Sequence, residues 1–180
     1  METAFGPLSV HMVQHLVLMN LAAPLLVYAI RNTIPFPLWR TWPFATALQL
    51  ILLWAWHTPP TLESAMASFG MMAMMHLSMM LAAMWFWAAV LLSPPEAKWR
   101  SILALLVTGK LFCLLGALLV FAPRPLFSAT HLHQGAASLA DQQMAGLIML
   151  TACPLTYVLV GIVISARWFL ALDSARESHG

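Results

Sequence analysis

Residues 69–92 read FGMMAMMHLSMMLAAMWFWAAVLL, twenty-four positions without an acidic residue, a lysine or an arginine. A bilayer core takes roughly 20 mainly apolar residues of helix to cross, so this stretch predicts a membrane span. Ser93-Pro94-Pro95 closes it, because proline lacks the N–H and the freedom a helix interior demands. Four other stretches of the 180-residue chain have the same character, about 8–30, 41–57, 101–122 and 142–166. The second is the shortest, stopping at Trp56-His57 before Thr58-Pro59-Pro60. The expected fold is therefore all-α, a polytopic transmembrane helix bundle of about five spans, with residues 1–180 forming a single domain.

Composition agrees. The chain is 62% hydrophobic and 8% charged, with mean hydropathy +0.84, where a soluble domain carries about 25% charged residues. The net charge of +2 is not gathered into a basic stripe, so no nucleic-acid partner is expected. Cys113 and Cys153 fall in apolar stretches and read as small packing residues rather than a disulfide framework. Met1 to Ser9 lacks a basic residue, so no cleaved signal peptide is expected.

The bases orient the bundle. Arg31 and Arg40 lie between the first two spans, Lys98 and Arg100 between the third and fourth, and Arg167 and Arg176 after the fifth. Only Arg124 falls on the opposite side. Bases concentrate on the cytoplasmic face of membrane proteins, which predicts a periplasmic N-terminus and a cytoplasmic C-terminus. Lys110 sits near the middle of the fourth span, where an ammonium is costly and needs a partner; an ion-pair anchor is expected there.

On this topology His11 and His15 enter early in the first span, and the second, running the other way, ends at His57. His76 lies two turns into the third span, His131 and His133 occupy the outer loop, and Asp141 opens the fifth span. Six of the seven histidines thus gather in the outer half, leaving His179 in the tail. Residues four apart share a helix face, so His11, His15 and Met19 form one stripe, and His76 shares a face with Met72, Met79 and Met80. Eight methionines fall between Met66 and Met84.

Imidazole with thioether selects soft or borderline metals, copper above all. Neutral ligands also add no charge to a low-dielectric bundle. The candidate metal ligands are His11, His15 and His76, with His57 or Asp141 completing or gating the site and Met72 or Met79 holding the reduced ion in transit. Pro24 is expected to kink the first span and shape a cavity below His15. Blander roles compete: a lone intramembrane histidine is commonly bonded across helices, methionine fills gaps, and loop histidines such as His131 and His133 are commonly incidental.

Enzymatic parts are missing. HMVQH has the histidine spacing of a zincin but no glutamate after the first His. Neither a G-x-S-x-G elbow nor a Gly-rich phosphate loop is present, and Glu2, Glu63 and Asp141 are the only acids near the outer face. No enzyme is expected.

HMVQHLVLMNLAAPLL (11–26), LLWAWHTPP (52–60), FAPRPLF (121–127) and DQQMAGLIM (141–149) together resemble the CtaG family of cytochrome c oxidase assembly factors, from about Ser9 to Tyr157. The resemblance implies a multi-pass protein of the bacterial inner membrane that matures haem-copper oxidases and takes part in supplying their copper. By motif it carries over His11, His15, His57, His76 and Asp141. It implies an oxidase subunit and a periplasmic copper donor as partners within the lipid bilayer, and is compatible with a homo-oligomer. This chain departs from the family after DQQMAGLIM, where Leu150-Thr151-Ala152-Cys153-Pro154 stands in place of a Trp and a Gly-rich run.

The expected function is an oxidase assembly factor that binds copper, as Cu(I), in the outer half of the membrane and hands it on. The rivals are a membrane haem or quinone redox protein, with His15 and His76 as axial ligands, and a metal-free assembly scaffold. A copper permease is disfavoured because the inner half of each span lacks histidines and acids.

Overall fold

The structure is a computed structural model that describes residues 6–34, 37–127 and 139–177, with side chains to residue 171. His131, His133 and His179 and the Arg176 side chain lie outside the described residues. Every regular element described is helical: α1 (Pro7–Val17), a π-helical turn (Leu18–Ala22), α2 (Ala23–Ile30), α3 (Trp42–Trp56), α4 (Pro59–Ala67), α5 (Phe69–Leu91), α6 (Lys98–Phe121) and α7 (Leu139–Glu177). Among the described residues, four stretches are long and apolar enough to cross a membrane: Pro7–Thr33, Phe69–Leu91, Pro95–Phe121 and Leu139–Ala171.

The helix over the span expected at 41–57 is short. Positions 41–57 yield α3, only 15 residues long, which at 1.5 Å per residue covers about 22 Å of a core roughly 30 Å thick. Proline sets both limits. Pro43 takes the start of α3, where a missing N–H costs nothing, and Pro59-Pro60 does the same for α4. The Thr58-Pro59-Pro60 break is therefore also a helix start.

The first stretch shows how sequence sets register. His11, His15, Met19, Ala23 and Val27, each four residues apart, are all buried. Four residues overshoot a turn of α-helix by about 40°, so a straight α-helix would rotate this stripe out of the core. The π turn at Leu18–Ala22 takes up part of the drift, its i→i+5 bonding seen in Ala23 N–H donating to the Leu18 carbonyl. In that register the Met19 carbonyl looks to Pro24, which has no N–H. The Trp87 indole N–H donates to it instead at 2.7 Å. Pro24 thus acts through a π turn and a borrowed indole. Trp87→Phe keeps an aromatic ring, smaller than the indole, but orphans a buried carbonyl, and the orphaned carbonyl alone is expected to cost about 1–3 kcal/mol, read as a lower unfolding midpoint in detergent. Adding Pro24→Ala, which restores a backbone donor, is expected to recover part of the loss.

The core packs around Tyr157 of α7. Trp87 stacks on it with ring centroids 5.7 Å apart, Phe86 and Phe112 meet it edge-on, and Gln49 Nε2 donates to its hydroxyl at 3.1 Å. Helices α6 and α7 approach through glycine. A Cβ on Gly116 would lie 3.0 Å from the Gly146 carbonyl oxygen, and one on Gly146 would lie 2.8 Å from that of Gly116. Small residues at such crossings let membrane helices gain van der Waals contact that apolar side chains in lipid cannot supply. Gln142 then ties the far end of α6 down, accepting from Leu126 N–H at 2.7 Å and donating to the Leu119 carbonyl at 3.2 Å.

Candidate metal centre

Three helix segments deliver imidazoles to one level: the first half of α1, the end of α3 and the start of α5. His11 and His15 lie one turn apart on the inward stripe of α1, and their Nε2 atoms are 2.8 Å apart. The His76 ring stacks on His15 with centroids 4.8 Å apart and lies 5.6 Å from His11. One ligand nitrogen from each of His11, His15 and His76 falls within 4.8 Å of the others. An ion bonded to imidazole nitrogens at about 2.0–2.1 Å, as zinc is, holds its ligands roughly 3.3–3.5 Å apart. The trio therefore closes on one ion with small rotations of its rings.

Backbone carbonyls orient two of the four rings, while His11 and His15 share a hydrogen bond between their Nε2 atoms. His76 Nδ1 lies 2.8 Å from the Met72 carbonyl and His57 Nδ1 lies 2.6 Å from the Leu53 carbonyl. A carbonyl only accepts, so each Nδ1 carries the proton and each Nε2 keeps its lone pair. Metal-binding histidines are held in this way, with the second nitrogen fixed on an outer partner. His57, at the end of α3, has its ring 5.7 Å from that of His15 and stands outside the close trio. Its Nε2 is buried without a hydrogen bond, as is Nδ1 of His15.

The other expected ligands are placed differently. Met72 meets His76 through its backbone carbonyl rather than through a described sulfur contact. Met79 is buried in the core three residues further along α5, beside the equally buried Met75. Asp141 is not grouped with the histidines. Its carboxylate accepts from Gly6, Leu8 and Ser9 N–H at 2.9, 3.0 and 3.0 Å and from the Ser9 hydroxyl at 2.5 Å. These donors are the first turn of α1, which has no side-chain cap of its own. A helix start offers unpaired N–H groups and a positive dipole end, and a carboxylate satisfies both. Gly6 is required beside it, since a Cβ there would lie 2.5 Å from a carboxylate oxygen.

Sequence patterning missed this use of Asp141, and with it Gly6 and Ser9. It also missed Asn20, buried on the π turn, whose Oδ1 has no hydrogen bond and whose Nδ2 lies 3.9 Å from Cys153 Sγ. The signal for Asn20 was available in the spacing His15, Met19, Pro24. The signal for Ser9 was not, since its partner lies 132 residues away in the chain.

In comparison with known proteins, a family model described as cytochrome c oxidase caa3 assembly factor aligns with residues 5–171. No curated protein and no solved structure matches the chain.

Proposed function

The chain belongs to the family of cytochrome c oxidase caa3 assembly factors, and from that premise we propose that it serves oxidase maturation by holding copper, as Cu(I), and passing it to an oxidase subunit. The observation that carries this is the convergence of His11, His15 and His76, with ligand nitrogens within 4.8 Å of one another. Copper here is cargo. Three neutral imidazoles suit a soft monovalent ion, and Met12 and Met19 line a small cavity together with His15. Three ligands leave a coordination position open for exchange with a donor or an acceptor. The site lies at one end of the bundle, opposite Arg31, Lys98 and Arg167, which by the charge rule is the periplasmic side of a bacterial inner membrane.

A haem reading fares worse on geometry. Two axial imidazoles must stand on opposite faces of a macrocycle, and rings stacked at 4.8 Å leave no slot between them. A metal-free scaffold gives no reason for three imidazoles to crowd a buried space.

The test is metal content of detergent-purified protein under reducing conditions, with X-ray absorption to count nitrogen and sulfur neighbours. Substituting His11, His15 and His76 together by alanine is expected to remove one copper ion per chain and the imidazole scattering with it. Unchanged loading and unchanged scattering would reject copper holding by these residues.

A further inference from the structure

A second group of soft donors lies directly behind the histidine trio. Met12, His15, Met19, Asn20, His57, Met149 and Cys153, with three apolar neighbours, line a small cavity of about 10 Å³. That volume holds one water-sized occupant. Three of the residues around it each carry a buried polar atom without a hydrogen-bond partner: His15 Nδ1, His57 Nε2 and Asn20 Oδ1. Each of these residues is at least nine-tenths buried, and so is Cys153. Buried polar atoms are paired in nearly every protein, so three unpaired ones on residues gathered around one small space point to an occupant. Four of the other lining residues carry sulfur: the thioethers Met12, Met19 and Met149 and the thiol Cys153.

From this we propose a second monovalent soft-metal position, with Cys153 as its anionic ligand, fed from the trio through His15. The proposal rests on the copper reading above and extends it to a two-position path. His15 is the hinge, since its Nε2 faces His11 at 2.8 Å while its Nδ1 is left over on a residue that lines the cavity. Binding exchanges the Cys153 S–H bond for a metal–sulfur bond and releases one proton to the medium. A monovalent ion on a thiolate is neutral, so the deeper position avoids the net charge that the same ion carries on three imidazoles. The π turn serves this arrangement, for it turns both Met19 and Asn20 inward and sets them on the cavity wall.

The experiment uses the full chain with Cys113→Ser, leaving Cys153 as its one thiol, titrated with Cu(I) against a colorimetric chelator under reducing conditions. Two ions per chain are expected. Cys153→Ser is expected to bind one, with sulfur neighbours diminished in X-ray absorption and imidazole scattering retained. Met149→Leu preserves the packing and is expected to weaken the second ion at least tenfold, guarding against a folding defect in the serine variant. The double variant His11→Ala/His76→Ala, which spares His15, is expected to keep one sulfur-bound ion. A single ion that depends on the trio and ignores Cys153 overturns the second position, makes the cavity a water site only, and leaves the copper reading standing. Loading that ignores both sets of substitutions overturns the two together.

Discussion

His15→Ala is expected to stop oxidase maturation when copper is limiting, with the steepest loss of any single histidine substitution. The order follows from geometry. His15 is the nearest neighbour of His11 at 2.8 Å between nitrogens, stacks on His76 at 4.8 Å, and is the described ring closest to His57 at 5.7 Å. Removing it leaves the widest pair, His11 and His76 with ring centroids 5.6 Å apart, whereas removing His11 or His76 leaves a closer one. His57→Ala should be mildest, because its ring stands outside the trio. Loss of an outer partner of a metal ligand costs roughly 10–100-fold in affinity, and loss of a central ligand should exceed that. Oxidase activity in cells expressing each variant gives the ranking. Added copper is expected to restore activity to His11→Ala and His76→Ala before His15→Ala. If all four variants retain full activity at limiting copper, the protein works as a grip on the oxidase and its histidines are structural.

The placement of these rings was legible because it depends on three simple quantities: where each apolar stretch begins, which way it runs, and how far along it each histidine sits. Those quantities survive even though α3 is shorter than a membrane span, since only its end needs to return to the level where α1 starts. Asp141 was not legible. An acid beside a histidine cluster looks like a ligand, but its partners are backbone N–H groups of Gly6, Leu8 and Ser9, and backbone donors leave no mark in a side-chain pattern. The methionines show the same limit in another form. Helical spacing put Met72 on the face of His76, yet what it supplies is a carbonyl, which any residue carries. Cys153 looked like packing because one thiol in an apolar stretch says nothing until Asn20, His57 and Met149, from other parts of the chain, are placed around it.

Asp141→Ala is expected to abolish metal binding without removing a metal ligand. The carboxylate is 2% exposed as part of a buried residue and receives three N–H groups and a hydroxyl from the start of α1. Alanine leaves those donors without the acceptor that holds them, those of Leu8 and Ser9 in a buried place and that of Gly6 at its edge. At about 1–3 kcal/mol for each buried donor left unsatisfied, three donors amount to a large part of the 5–15 kcal/mol that keeps a typical domain folded. The first turn of α1 then frays, and His11, two residues beyond Ser9, loses its position against His15. Asp141→Asn keeps one acceptor oxygen but loses the charge that favours a helix start, and should fall between the two. The measurement is unfolding in detergent beside Cu(I) affinity for both variants. The two losses should move together, alanine greater than asparagine, and the copper of the native protein should show no oxygen neighbour. An unaltered unfolding midpoint with affinity lost would instead make Asp141 a ligand, and the cap described here would not be what it contributes.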